Sequence, residues 1–134
     1  MFAHAEDKGI VTLPSPYPVN VTINRLAGLV LAKNMQVFAR IDFAADAHKA
    51  GLTMHDSQLL VFGNPKGGTP VMQAMPQAAL DLPLKALVWQ DEQGKVWVSY
   101  NAPAYLGARH GITPELLKPL EGIKALVQQA VTAE

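Results

Sequence analysis

The chain has 134 residues, 49% of them apolar and 16% charged, with eleven basic side chains balanced by eleven acidic ones and no cysteine. That length fits one domain with its own core, the composition is the reverse of a disordered chain's, and the lack of a basic field argues against nucleic acid as a partner. The missing cysteines remove disulfides, thiol catalysis and thiolate metal sites together, and no apolar run is long enough to span a bilayer.

At the N-terminus, Ala3-His4-Ala5 has the Ala-x-Ala form of a signal-peptidase site and is followed by polar Glu6-Asp7-Lys8. Residues 1–8 are therefore expected to be the remnant of an export signal or a flexible tail, and residues 9–134 a single folded domain. A periplasmic or otherwise exported location follows. A cytoplasmic one is the alternative, because Ala-x-Ala is a common triplet and the positive and apolar regions of a signal are missing from the sequence.

Residues 9–13 read as a strand, ended by Pro14-Ser15-Pro16-Tyr17-Pro18 because proline removes a ladder donor. The spacing of Ile23, Leu26, Ala27 and Val30 predicts a helix over about 20–33 with one apolar face. Asn34, which tolerates the left-handed conformation, closes it. Residues 35–42 alternate, with Met35, Val37, Ala39 and Ile41 on one face and Gln36, Phe38, Arg40 and Asp42 on the other. Residues 44–50 favour a weak helix stopped by Gly51. Residues 59–62 are a continuous apolar run, as in a strand buried on both sides. A glycine-rich loop, Gly63-Asn64-Pro65-Lys66-Gly67-Gly68, comes next. Thr69-Pro70 then predicts the start of a short helix, a hydroxyl cap followed by proline at the first helical position.

Residues 85–90 and 95–100 predict two strands around Asp91-Glu92-Gln93-Gly94, a hairpin built on a type I turn. A short helical stretch runs to His110 and stops at Gly111. Thr113-Pro114 repeats the cap-and-proline signal, and Leu116, Leu120, Ile123, Val127 and Ala130 form the stripe of a terminal helix whose first turn Pro119 kinks. The expected fold class is α+β: two layers, one mixed or mostly antiparallel five-stranded sheet, and both long helices on one face. The other face is left partly open, with Phe38 or Trp97 pointing outward. An apolar patch of that kind predicts a homodimer.

The glycine-rich loop sits where phosphate loops sit, between a strand and a helix. It lacks their pattern, since Lys66 precedes the glycines and Thr69-Pro70 follows them. A sharp turn before a capped helix explains these residues, and anion binding by the amides and Lys66 is the functional alternative. His4, His48, His55 and His110 share no i, i+3 or i, i+4 spacing. Met54 beside His55, with Met72 and Met75, would suit a soft ion such as Cu(I), against the plainer reading of core methionines and solvated histidines. Ser15, Ser57 and Ser99 stand in no nucleophile motif. Asp42 and Asp81 are capping aspartates or, if they converge on a pocket, an acid–base pair. Tyr100 and Asn101 leave the last strand, either to line a polar pocket or as ordinary sheet-edge residues.

Phe38-Ala39-Arg40-Ile41-Asp42, Leu60-Val61-Phe62-Gly63-Asn64-Pro65-Lys66-Gly67-Gly68-Thr69-Pro70, Leu80-Asp81-Leu82-Pro83-Leu84-Lys85 and Val96-Trp97-Val98-Ser99-Tyr100-Asn101 together resemble the domain of unknown function 302 (DUF302) family from about residue 9 to residue 131. The resemblance implies a compact α+β fold, commonly dimeric, with no established activity. Many members resemble one another in a histidine after the aspartate that ends the second strand; Phe43 stands there in this chain. The positions that match the family's polar pattern are Asp42, Asn64, Lys66, Thr69, Asp81, Tyr100 and Asn101, and they are the candidate ligand-binding residues.

Three functions follow as expectations. The first is a non-enzymatic domain that holds a small polar or anionic ligand near residues 63–69. The second is a small hydrolase or lyase using Asp42 or Asp81 with Tyr100. The third is a metal or redox accessory protein using methionine and histidine. No catalytic residue, cofactor or metal ligand is assigned.

Overall fold

The computed structural model describes residues 4–133, with side chains from residue 8 onward. Ala3 and the side chains of His4 and Ala5, which carry the peptidase-like pattern, lie outside the described residues. The strands are β1 (His4–Asp7), β2 (Ile10–Ser15), β3 (Gln36–Asp42), β4 (Ser57–Gly63), β5 (Leu84–Gln90) and β6 (Val96–Asn101). The helices are α1 (Val19–Ala32), α2 (Phe43–Lys49), α3 (Pro65–Ala74), α4 (Pro103–His110), α5 (Pro114–Leu117) and α6 (Ile123–Ala130). Every strand pairing is antiparallel, in the order β1-β2-β6-β5-β4-β3.

Five of these strands are those the alternation pattern predicts. The sixth, β1, continues the sheet into residues read as a tail. It folds back onto β2 through Lys8 and Gly9, both at positive φ (58° and 83°), the requirement of a two-residue hairpin turn. Gly9 is needed twice over, because a Cβ there would lie 2.3 Å from the Tyr105 ring.

The core lies on one face of the sheet. Leu60 and Phe62 of β4, Ala86 and Val88 of β5 and Val98 of β6 pack there against Ile23, Leu26 and Val30 of α1 and the apolar stripe of α6. Each Val, Leu, Ile or Phe side chain among them contributes about 2 kcal/mol on removal from water, before entropy is counted. Asn34 closes α1 at φ 59°, as its residue type predicts. Leu59 and Val61 are only half-buried, so the apolar run of β4 is fully covered on one side rather than both.

Four local expectations change. A bulge at Phe38 shifts the register of β3, pairing Ala39 with Val61 and Arg40 with Leu60. Beyond it, Ala39 and Ile41 turn to the face away from α1, while Arg40 reaches Asn24 of α1 at 2.6 Å and Gln58 at 3.0 Å. Alternation counted residue by residue cannot register an inserted one. Trp97 is only 8% exposed, whereas Phe38 is 47% exposed. Trp97 stacks on Trp89 with centroids 6.4 Å apart, and its Nε1 donates to Asp91 Oδ2 at 2.9 Å. The helix expected to start at Thr69 starts one turn earlier, at Pro65. The terminal stripe is delivered by α5, a 3-10 turn (Lys118–Leu120) and α6 in place of one continuous helix. Pro119 cannot donate to the preceding turn, so it breaks the helix as well as bending it.

Candidate functional site

Residues 63–70 lie at the rim where β4 hands over to α3. Asn64 is the cap that Thr69 was expected to be. Its Oδ1 accepts from the Lys66 N–H at 3.0 Å, and its carbonyl accepts from the Gly67 and Gly68 N–H groups at 2.9 and 3.0 Å. Asn-Pro gives the same cap-then-proline signal as Thr-Pro and comes first along the chain. The amides that would cradle an anion are therefore satisfied within the protein. Gly67 has a packing reason as well: a Cβ there would lie 3.1 Å from Pro119 Cβ, so α3 and the 3-10 turn approach closely.

Behind this rim is a cavity of about 270 Å³. Its walls are the thioethers of Met35 and Met72, the Phe38 ring, the Leu82-Pro83-Leu84 segment that leads into β5, and Pro119 with Leu120. Asn64 and Thr69 are its polar side chains. Lys66 is exposed and lines a neighbouring depression. Three sequence candidates, Asn64, Lys66 and Thr69, are thus brought together. The apolar lining was not singled out, because it comes from β3, α3, β5 and the 3-10 turn, and only the Gly-Asn-Pro and Leu-Asp-Leu-Pro segments hinted at a junction.

The other candidates are elsewhere. Asp42 caps α2, accepting from the Ala45 N–H at 2.9 Å. It pairs with Gln58 at the start of β4, while Asp81 precedes Leu84, which pairs with Phe62 at the other end. Tyr100 is buried on the helix-covered face of β6, and Asn101 is exposed at its end opposite Ile10. Ser99 Oγ accepts from Trp89 Nε1 at 2.9 Å and shares a hydrogen bond of 2.9 Å with Thr12, and Ser15 is bonded to Thr22. Among the described residues no group of three His, Asp or Glu converges as a metal site. Met54 is half-exposed, while Met72 turns into the cavity beside Met35.

Asp81 belongs to a cluster that residue spacing did not reveal. Its Oδ2 lies 2.5 Å from His110 Nε2, and Arg109 Nη1 donates to both carboxylate oxygens at 3.0 and 3.1 Å. The His110 side chain is 6% exposed and that of Asp81 15%. The partners lie 29 residues apart in sequence. The local signal available was a histidine in the last turn of a helix, where the dipole favours positive charge. Lys85 donates to the Pro83 carbonyl at 3.0 Å. Burial holds its ammonium below the usual lysine range, and the Asp81 charge opposes that shift. At the hairpin, Asp91 accepts from Trp97 Nε1 and from the Lys95 and Gln93 amides, which hold its carboxyl below the ordinary carboxylate range.

A family model described as "Domain of unknown function DUF302" matches residues 11–130. In structure, the chain is similar to an uncharacterized conserved DUF302 protein from Bacillus stearothermophilus. That likeness has a TM-score of 0.75 at 19% identity and covers 92% of this chain and 95% of the other; it bears on the fold alone. In sequence, the chain is 44% identical over 106 residues to proteins named "Fluoride-specific ion channel FluC 1" in Brucella suis and "Fluoride-specific ion channel FluC 2" in Brucella melitensis. The match takes in 79% of this chain but 42% and 39% of those proteins, so the chain spans about two-fifths of the length of these curated relatives. No helix of the described residues is long and apolar enough to cross a membrane.

Proposed function

For a chain that belongs to the DUF302 family, a family defined by fold and sequence and not by activity, we propose a binding function: a domain that holds a small molecule in the cavity behind residues 63–69. The observation that carries this reading is the cavity itself. About 270 Å³ of largely apolar space, bordered by Asn64 and Thr69, approaches the usual size of small-molecule sites, and few convergent polar groups in an apolar lining are their usual chemistry. Asp42, Asp81, Ser15 and Ser99, four of the residues that acid–base or nucleophilic chemistry could use, are engaged in caps and pairs and do not line it. The channel name of the Brucella relatives is not carried over as an activity, because the match leaves out more than half of each of those proteins.

Gly68→Leu tests this. Gly68 lines the cavity from within α3, and a Cβ there meets only the Met72 methyl, at 3.9 Å. Leucine favours helix over glycine by roughly 0.8 kcal/mol, so the variant keeps its fold while filling the space. Small-molecule probes that raise the melting temperature of the wild-type protein should leave that of Gly68→Leu unchanged. Equal shifts in both would sink the reading. The same reading takes the domain as a homodimer, supported by half-buried Leu59, Leu87 and Trp89 on the sheet face away from α1. Sedimentation equilibrium returning the monomer mass at high micromolar concentration would remove that part.

A further inference from the structure

Met35, Asn64, Gly67, Leu84 and Pro119 line both the cavity and a second depression, which continues past Lys33 and Lys66 toward α6. The two form one continuous surface with two chemistries. The inner part is walled by thioether, phenyl, leucyl and prolyl groups. Its amide side chain, Asn64, already accepts a hydrogen bond from the Lys66 N–H. The outer part carries Lys33, just past the end of α1, and Lys66, in the first turn of α3. Among the described residues no carboxylate lines either part. Among the described residues neither lysine makes an ion pair. At the cavity wall Phe38 is 47% exposed, apolar surface that an apolar ligand would remove from water.

On the reading that this cavity is a binding site, we infer that its ligand class is an amphiphilic anion. The apolar body lies between Met35, Phe38, Met72 and Leu84, and a carboxylate or similar head sits at Lys33 and Lys66. The body size follows from volume. A cavity lined by apolar side chains takes up benzene at ~150 Å³, and this one is nearly twice that, enough for roughly six to ten carbons. A bare small anion fits poorly, because the amides of α3 are closed by Asn64 and two solvated ammonium groups alone hold an anion weakly. A neutral hydrophobe would enter the cavity but draw nothing from the lysines.

Isothermal titration of the full chain with octanoate and with 1-octanol separates these cases. Octanoate should bind the wild-type protein more tightly than octanol. Replacing both lysines, Lys33→Ala with Lys66→Ala, should weaken octanoate by about 3- to 10-fold, the range of two exposed charge pairs, and leave octanol unchanged. Gly68→Leu should abolish binding of both, with Met72→Trp as a second block should the first variant lose its fold. Equal affinities for the two probes, indifferent to the lysines but abolished by Gly68→Leu, would overturn the anionic head and leave the cavity reading standing. Binding that survives both blocks, or no binding of either probe at millimolar concentration, would overturn the two together.

Discussion

Two charged regions flank the Leu82-Pro83 segment, and they differ in what their charges touch. On one side Asp81, Arg109 and His110 are bonded to one another, with the imidazole nearly out of water. On the other, Lys33 and Lys66 face solvent at the mouth of an apolar cavity, without an ion pair among the described residues. Sequence alone makes Asp81 and Lys66 equals, two polar residues in two recognisable segments. The structure separates them by a physical criterion. A buried ionisable group must find its partner inside the protein, because leaving it unpaired costs several kcal/mol. An exposed cation has water, and stays available for a ligand. The contrast gives Asp81 partners within the fold and, on the proposed binding reading, leaves the lysines for the ligand, and it can be broken from either end.

The largest expected effect is at the buried cluster. Asp81→Ala removes the partner of a nearly buried imidazole and of the Arg109 guanidinium. Breaking such a pair from one side costs about 3 kcal/mol, to be read as a lower urea midpoint at unchanged slope. Ligand binding measured on the folded fraction should stay within twofold of wild type. A variant that keeps its stability and loses binding would move Asp81 into the site and erase the contrast.

A smaller loss, about 1 kcal/mol, is expected for Asp42→Ala, which removes the side-chain cap of α2. Chemical denaturation measures it. Asp42 and Asp81 both stand near strand boundaries, Asp42 as the last residue of β3 and Asp81 shortly before β5, yet the partner of Asp42 is a single backbone amide at the surface, so the two aspartates should differ about threefold. Equal losses would mean that burial of the Asp81 pair adds nothing.

What could be read without coordinates divides along the same line. Local chemistry was legible: the α1 stripe, Asn34 as its left-handed stop, the Asp91–Gly94 turn and the capping role of Asp42 all depend on neighbours within a few residues. The Asp81–His110 pair was not, because nothing local sets a contact across 29 residues. Nor was the shift of face in β3, since one bulged residue reverses the alternation beyond it. The helix start illustrates a third case. Asn64-Pro65 and Thr69-Pro70 carry the same signal, and only packing of α3 against the 3-10 turn at Gly67 shows which is used. The cavity was legible only as a rim, because its walls come from four separate segments.

A third expectation uses pH on a carboxylate that, like Asp81, is half-buried and bonded within the fold. Asp91 is held below the ordinary carboxylate range, first by Trp97 Nε1 and then by the Lys95 amide. Its folded form favours the charged state, so its contribution is complete above the ordinary carboxylate range and is lost as pH falls through the lowered value. Tryptophan fluorescence of the Trp89–Trp97 pair should therefore change in acid ahead of global unfolding. In Asp91→Asn that early phase should be missing, since an amide oxygen accepts hydrogen bonds without titrating. An early phase that persists in Asp91→Asn would assign it to another group.

The smallest effect is the one that sharpens the contrast most. Lys33→Ala and Lys66→Ala should each change stability by less than about 0.5 kcal/mol, the range of surface substitutions that break no cap, pair or packing. Lys66 meets the cap of α3 only through its backbone N–H, which alanine retains. Lys33 contributes to the end of α1 through its backbone N–H, bonded to the Leu29 and Val30 carbonyls, and that also survives. Neither change therefore removes a hydrogen bond from the fold. If either variant melts well below wild type, its ammonium is engaged in the protein after all. The rim would then be a second structural cluster like that of Asp81, and the cavity would have no free charge to select an anion.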